Sequence, residues 1–195
     1  MIRTDLAKRY DWVYAFFCAL LMLILHGYQF NTSDQAEHLP QVYKLIDPQL
    51  YTRDFFVNAA TQHFGIRFFY IYMVYGLSFI MPVWLICFVG TIICNVAAVY
   101  AIIRIARMID PAQFLLPLLA PLLLIVVFCK WTIGGNHFDG NMFLCSNLAV
   151  AFAFGALLHF FKKNYLLISF LCGIAVLFQL LIGLQLFLLL FAVLL

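Results

Sequence analysis

Two carboxylates, Asp34 and Glu37, lie three residues apart in a polar stretch that separates two long apolar runs. A carboxylate just past a membrane-length run could act as a general base towards a hydroxyl held at the lipid boundary. The same Asp-x-x-Glu spacing is that of a capping box at a helix start, and spacing alone favours this structural interpretation. A third acid, Asp54, directly precedes Phe55 and has the same two interpretations, catalytic acid or helix N-cap.

Basic residues accompany these acids in the same stretch and in a second polar stretch further on: Lys44, Arg53, Arg67 and Lys130. Guanidinium and ammonium groups form charge-assisted hydrogen bonds to phosphate, so this set could hold the phosphate of a donor substrate. For any single member, anchoring of a long amphipathic side chain at a membrane interface is the simpler interpretation.

The second polar stretch, residues 130–141, is rich in glycine and carries His137 and Asp139. With His38 or His63, these could bind a divalent cation through mixed nitrogen and oxygen ligands. Their spacing is not diagnostic, so neither a metal site nor a firm cofactor is predicted, and a divalent cation stays an open alternative. The six cysteines form no Cys-x-x-Cys pair and are expected to be small buried side chains.

The elements that must position these residues follow from the composition. Hydrophobic residues make up 67% of the chain, charged residues 10%, and the mean hydropathy is +1.05. A soluble domain carries about a quarter charged residues, because its surface must be solvated. The composition therefore predicts an integral membrane protein with membrane lipids as its main partner, and the small net charge of +3 argues against nucleic acid.

Crossing a ~30 Å hydrocarbon core takes about 20 apolar residues in a helix. The sequence predicts an all-α, polytopic transmembrane helical bundle, a single domain over residues 1–195, with spans at about 12–30, 82–103, 111–128, 142–161, 165–181 and 184–195. The last two spans belong to one uncharged run, which is expected to break near Gln179–Gly183 because it is too long for one crossing. Since the chain stops within an apolar run, we expect an N-terminal portion of a longer protein, truncated at the C-terminus.

Basic residues set the expected orientation, because the cytoplasmic flanks of membrane spans retain positive charge. With a cytoplasmic N-terminus, seven of the eleven basic residues lie inside and residues 31–67 form an outer loop. Residues 68–80 are short for a crossing and rich in tyrosine, so they are predicted to lie at the outer surface or dip into it. The expected location is a bacterial plasma membrane.

Within the outer loop, the spacing predicts two amphipathic surface helices. Leu39, Val42, Tyr43 and Ile46 form an apolar stripe at helical spacing, and the Asp-Pro pair at 47–48 would end that helix. A second short helix is expected from Asp54 to about residue 63. Juxtamembrane helices of this kind would rest on the outer leaflet.

These features together resemble the GT-C superfamily, integral-membrane glycosyltransferases that use lipid-phosphate sugars. The resemblance rests on Asp34-Gln35 with Glu37 after a first span, on Tyr43, on Asp54-Phe55 before the next span, and on the helix break at residues 178–184. The chain departs from the superfamily pattern at two positions. Gln35 replaces the second acid of the usual pair, and Gln179 stands where a lysine or histidine is common.

The resemblance implies a glycosyltransferase that moves a sugar from a polyprenyl-phosphate donor to an acceptor at the outer membrane face. Asp34, with Glu37, would be the catalytic acid that deprotonates the acceptor hydroxyl. It further implies second-acid candidates Asp139 and Asp54, phosphate-binding candidates Arg53, Arg67, Lys44 and Lys130, and substrate-pocket candidates His38, His137 and Gln179. The alternative is a non-catalytic polytopic membrane protein, either a transporter or an assembly subunit.

Overall fold

The structure is a computed structural model that describes residues 2–112, 115–126 and 141–194. These residues form nine α-helices and no β-strand, which confirms the all-helical prediction. The helices in chain order are α1 (Ile2–His26), α2 (Asp34–Ile46), α3 (Phe55–Gln62), α4 (Phe68–Ser78), α5 (Val83–Ile109), α6 (Leu116–Val126), α7 (Cys145–Phe161), α8 (Tyr165–Phe178) and α9 (Leu180–Leu194).

Local sequence signals account for several helix ends. Gly27 follows α1 with a left-handed φ of 74°, the conformation that glycine supplies past a helix C-terminus. Pro82 precedes α5 in an extended conformation, and Asp110, which ends α5, is followed by a proline. The side chain of Asn164 caps α8 by accepting a hydrogen bond from the backbone N–H of Leu167 at 3.3 Å.

One helix among the described residues, α5, is long and apolar enough to cross a membrane, with 27 residues and a length of ~40 Å. The shorter apolar helices of 10–17 residues are Tyr10–His26, Phe68–Ser78, Cys145–Phe161, Tyr165–Phe178 and Leu180–Val193. The structure thus supplies one membrane-length helix by length and composition, and the number of crossings stays a prediction.

Several helices differ in extent from the predicted spans, and among them α8 ends at Phe178 and not at 181, while α9 begins at Leu180 and not at 184. The first span was predicted to continue to residue 30, but α1 ends at His26 because the chain turns at Gly27. Within the predicted span 111–128, α6 covers Leu116–Val126 and contains Pro121, while residues 113–114 and 127–128 lie outside the described residues. Helix α5 extends past the predicted residue 103 to Ile109, and the added turns carry two arginines that bind α1.

Helices α1 and α5 pack through small side chains and a buried ion cluster. Ala15, Cys18 and Val99 are almost fully buried between them, and such small residues let helices approach closely. At one end of this interface Asp11, only 2% exposed, binds Arg107 at 2.6 Å and Arg104 at 3.3 Å. We call these three residues the Asp11 cluster.

The described helices of the predicted outer loop form a layer with α4 over the start of α5. The two short helices expected within residues 31–67 are present as α2 and α3, and α2 packs against both α3 and α4. The apolar segment predicted at 68–80 forms α4, whose Tyr70, Ile71 and Val74 are buried in the same core as Leu39 and Val42 of α2. With 11 residues, or ~16 Å, α4 is too short to cross a bilayer.

The remaining core joins α7, α8 and α9 through Ala156, Ile168, Cys172 and Leu190. Helices α8 and α9 are separated by Gln179 alone, which is extended with φ −149° and ψ 102°. Close packing at this break requires Gly183, because a Cβ there would collide with the backbone nitrogen of Val176. The sequence predicts a helix break near residues 179–183, and the structure has the break at Gln179, the first residue of that segment.

Candidate functional site

The segment between α1 and α2 sets the position of Asp34. Asn31 and Ser33 have left-handed φ values of 57° and 48°, so the chain reverses sharply before α2 begins. The backbone N–H of Gln29 donates to the carbonyl of Asn141 at 2.8 Å, which ties this turn to the segment before α7. The turn therefore has a fixed place on the rest of the fold.

Gln35, the second residue of α2, holds the start of this helix through a buried hydrogen-bond cluster. Its side-chain Nε2 donates to the carbonyl of Phe143 at 2.9 Å, and its Oε1 accepts from the backbone N–H of Asn31 at 2.8 Å. The same Phe143 carbonyl accepts a second hydrogen bond from the Tyr70 hydroxyl at 2.7 Å. At the position where the resemblance expects a second acid, a fully buried amide thus anchors α2.

The capping box expected at Asp34 and Glu37 is absent. Ser33 is the N-cap of α2 and makes no side-chain capping bond, while Asp34 is the first helical residue and is exposed. Glu37 instead binds Arg67 through Oε2 at 2.9 Å, 30 residues further along the chain. The structural interpretation of the Asp-x-x-Glu spacing is therefore wrong, and the Asp34 carboxylate makes no hydrogen bond to a described residue.

A cavity of about 630 Å³ opens beside this ion pair, between α2, α3, α4 and the α8–α9 break. Polar side chains on its wall are Gln41, Arg67 and Gln179. Apolar side chains on its rim are those of Ile66, Leu180 and Leu181, which are 81%, 53% and 61% exposed. We call this the Arg67 cavity. Its lining suits a molecule with an anionic or hydroxyl-bearing head and an apolar tail.

Two of the predicted site residues, Arg67 and Gln179, come together at this cavity, although they are 112 positions apart. The Gln179 amide oxygen lies 3.9 Å from the Cys145 thiol, and both Asp34 and Arg67 are within electrostatic reach of that thiol. Arg67 thus supplies a cation in the cavity that Gln179 lines.

His38 lies behind the cavity wall and does not line it. It is fully buried, its ring meets Tyr70 edge-on at 5.5 Å, and neither ring nitrogen has a hydrogen-bond partner among the described residues. Burial, assisted by the nearby Arg67 guanidinium, lowers the pKa of His38 to about 3, so the imidazole is neutral at pH 7. A direct substrate contact predicted for His38 therefore lacks support in the fold.

Of three other predicted residues, Asp54 and Lys44 make local structural contacts and Arg53 is exposed. The Asp54 carboxylate caps α3 by accepting from Val57 N at 3.0 Å, which confirms the N-cap interpretation. The Lys44 ammonium donates to the Pro48 carbonyl at 2.6 Å beside the end of α2, and Arg53 is exposed in the following turn. None of these residues lines the cavity.

The predicted residues Lys130, His137 and Asp139 lie outside the described residues. Within residues 2–112, 115–126 and 141–194, no three histidine, cysteine, aspartate or glutamate side chains group as metal ligands would. A divalent-cation site through His137 and Asp139 therefore stays a prediction from the sequence.

Gln35, Gln41 and Tyr70 were not recognised from the sequence as residues that build this site. A signal for Gln35 was present, because it occupies the acid position of the superfamily motif and lies in register with the buried Leu39 of α2. Tyr70 had only its place in a tyrosine-rich apolar segment, and nothing local points to its partner 73 residues away.

The chain matches no protein-family model. No curated protein matches it. No solved structure matches it either. The GT-C resemblance thus rests on the motifs named above, and the geometry of the Arg67 cavity is the observation that bears most directly on function.

Proposed function

We propose that this protein is a polytopic membrane glycosyltransferase of GT-C type, with a cytoplasmic N-terminus and an outward-facing α2–α4 layer. It would transfer a sugar from a polyprenyl-phosphate donor to an acceptor hydroxyl. The observation that carries the proposal is the Arg67 cavity, where a guanidinium and two amides lie next to exposed leucine and isoleucine side chains. A lipid-linked phosphate likewise combines a polar head with an apolar tail.

The membrane part of the proposal is supported by the exposed apolar surface. Phe55, Phe56, Phe64 and Ile66 of the α2–α4 layer are between 75% and 82% exposed, and Ile24 of α1 is 78% exposed. Large exposed apolar side chains are unfavourable in water, and a surface rich in them is normally covered by a partner or by lipid.

Asp34, at the start of α2, does not line the Arg67 cavity, whereas Arg67 does, and the two residues have distinct roles in the proposed reaction. The exposed Asp34 carboxylate accepts the proton of the acceptor hydroxyl as that oxygen forms a bond to the anomeric carbon of the sugar. The bond between this carbon and the donor phosphate oxygen breaks, and its electron pair leaves on the phosphate. Arg67 stabilises the charge on the departing phosphate through charge-assisted hydrogen bonds. Attack opposite the leaving group inverts the anomeric configuration.

Glu37 affects this chemistry through its ion pair with Arg67. The pair is exposed, with 35% of the Arg67 side chain and 70% of the Glu37 side chain accessible, so solvent weakens it and it contributes little stability. A phosphate that enters the cavity can therefore compete with Glu37 for the guanidinium. Glu37 holds Arg67 in place when the cavity is empty, a positioning role in place of the catalytic one implied by the resemblance.

Transfer from a panel of labelled polyprenyl-phosphate sugars, measured with the protein reconstituted in liposomes, tests the proposal. Loss of the general base in Asp34→Asn should slow transfer by about 10²–10⁴-fold. Arg67→Gln should lower kcat/KM by about 10–100-fold, since a charge-assisted hydrogen bond is lost. Asp47→Asn is the matched control, because Asp47 is an exposed acid of the same region whose Oδ1 only accepts from Gln49 N.

Equal transfer by wild type and Asp34→Asn would refute the catalytic assignment. One observation favours a transporter as the second candidate, namely the break at Gln179 between two apolar helices, since transporters bind substrates at interrupted helices. In that case the reconstituted protein would move a lipid-linked or polar solute across the bilayer without forming a new glycosidic bond.

A further inference from the structure

A second open groove, of about 580 Å³, lies at the opposite end of α1 from the α2–α4 layer. It runs between α1, α5 and α6, and we call it the α1 groove. Its lining combines the aromatic and aliphatic side chains of the three helices with the acid and one guanidinium of the Asp11 cluster: Tyr10, Asp11, Val13, Tyr14, Phe17, Ile103, Arg107 and Leu118.

The apolar part of the α1 groove is open along α1. Tyr10, Val13 and Phe17 follow each other at intervals of three and four residues, which places them on one face of the helix. These three side chains are 67%, 64% and 62% exposed. The Tyr14 hydroxyl donates to the Leu118 carbonyl at 2.7 Å, which holds α6 against α1 and so keeps the groove walls in place.

The polar end of the groove retains positive charge. Asp11 is the one carboxylate of the Asp11 cluster and faces two guanidinium groups, so the cluster has a net charge of about +1. Arg107 contacts this carboxylate through Nε and Nη2, yet a third of its side chain is exposed to the groove side. The nearest acid along α5, Asp110, is held by its own turn, accepting from Ala112 N at 3.1 Å.

The sequence before the groove is also basic. In the first nine positions the sequence has Arg3, Lys8 and Arg9 against a single acid, Asp5. Basic clusters beside membrane helices attract anionic lipids, and basic pockets between such helices bind their head groups. Both the charge and the apolar groove are thus complementary to one class of molecule, an anionic phospholipid.

We propose that the α1 groove is a binding site for an anionic phospholipid, with the phosphate at Arg107 and one acyl chain along Val13, Phe17 and Leu118. The Asp11 carboxylate orients the two guanidinium groups and neutralises one of their two positive charges, which reduces the repulsion between them where α1 and α5 pack. The lipid would then link α1, α5 and α6 at this end of the fold. The proposal rests on the proposed membrane location and is independent of sugar transfer and of the Arg67 cavity.

Lipid binding to the full chain, purified in detergent and stripped of lipid, tests this site. The probes are dioleoyl phosphatidylglycerol, dioleoyl phosphatidylcholine and free glycerol phosphate, with Kd measured by native mass spectrometry or ligand titration. One net positive charge near the headgroup predicts about fivefold tighter binding of phosphatidylglycerol than of phosphatidylcholine. Glycerol phosphate, which lacks acyl chains, should bind far more weakly than either lipid.

The variant Val13→Trp fills the groove at an exposed position and leaves the Asp11 cluster intact, so the fold is expected to remain. It should abolish the preference for phosphatidylglycerol. Ile24→Trp is the matched control, since Ile24 is an aliphatic residue of α1 outside the groove that is 78% exposed against 64% for Val13, and it should retain the preference.

Three results would overturn the proposal: equal affinity of the wild type for both lipids, an unchanged preference in Val13→Trp, or glycerol phosphate binding as tightly as phosphatidylglycerol. The last result would indicate an anion site without a lipid role. A protein that is inactive in sugar transfer but retains the lipid preference would refute the proposed function alone.

Discussion

The hydrogen bonds to the Phe143 carbonyl predict a specific pattern of non-additive stability. This buried oxygen accepts from both the Tyr70 hydroxyl and the Gln35 amide, at 2.7 and 2.9 Å. In Tyr70→Phe the Gln35 bond remains, so the free energy of unfolding should fall by about 1 kcal/mol, the net value of one hydrogen bond. In Gln35→Met the Tyr70 bond remains, but the bond to Asn31 N is lost as well, so the cost should be about 1–2 kcal/mol.

The double variant should cost more than the sum of the two single variants. Only when both donors are removed is the Phe143 carbonyl left buried without a partner, and an unsatisfied buried acceptor costs about 1–3 kcal/mol. We therefore expect the loss of unfolding free energy in the double variant to exceed the sum of the two single losses by about 1 kcal/mol or more. A measurement of unfolding in mixed micelles by circular dichroism, with a double-mutant cycle, would give this coupling energy.

Tyr72→Phe is the control for removal of a tyrosine hydroxyl from α4. Tyr72 is 38% exposed and its ring packs on Phe68, but its hydroxyl makes no hydrogen bond to a described residue. Its removal should change the free energy of unfolding by less than about 0.5 kcal/mol. Equal stability of Tyr70→Phe and Tyr72→Phe, or a double variant whose cost is only the sum of the Tyr70→Phe and Gln35→Met costs, would contradict the shared role of the Phe143 carbonyl.

Three further predictions concern single sites. Gly183→Ala should lower the free energy of unfolding by about 1–3 kcal/mol, because the added Cβ would collide with Val176. Gly173→Ala is the control, since its Cβ would meet nothing within 4 Å and should stabilise α8 slightly. Thermal unfolding of both variants measures the difference. The pKa of His38 is lowered to about 3 in the folded protein, so between pH 6.5 and pH 3 the imidazole binds a proton in the unfolded chain and not in the folded one. The free energy of unfolding should therefore be highest above pH 6.5 and fall on acidification towards pH 3. Unfolding midpoints between pH 4 and 8 should show this loss in the wild type and a flatter profile in His38→Leu. Asp54→Ala should lower the free energy of unfolding by about 1 kcal/mol because the α3 cap is lost, whereas Asp54→Asn keeps a capping oxygen and should change it very little. Thermal unfolding measures both variants, and equal effects would contradict the capping role.

Features encoded by neighbouring residues could be predicted from the sequence. The Asp54 cap, the end of α2 at Asp47 and the break at Gln179 each follow from side chains within a few positions, since capping, proline restriction and helical periodicity act over one or two turns. The all-helical class followed in the same way from long apolar runs without strand-like alternation.

Features that depend on distant partners could not be predicted. Glu37 has the spacing of a capping residue, yet its carboxylate accepts a hydrogen bond from Arg67, 30 residues later in the chain. Asp11 directly precedes the apolar run that begins at Trp12, and its two ion-pair partners are arginines more than 90 positions away. Arg67 and Gln179 line one cavity only because α4 packs near the α8–α9 break. No local pattern specifies these pairs.

The hydrogen bonds at Phe143 also have a consequence for the synthesis of the chain. Gln35 and Tyr70 leave the ribosome well before Phe143, from which they are separated by 108 and 73 residues. At about 5–20 residues per second, Tyr70 waits roughly 4–15 s for its acceptor to be made. During that interval the buried polar groups of α2 and α4 must be satisfied by water or by the insertion machinery. The α2–α4 layer therefore reaches its final packing only after α7 has begun to emerge, which makes its assembly a late step of biogenesis.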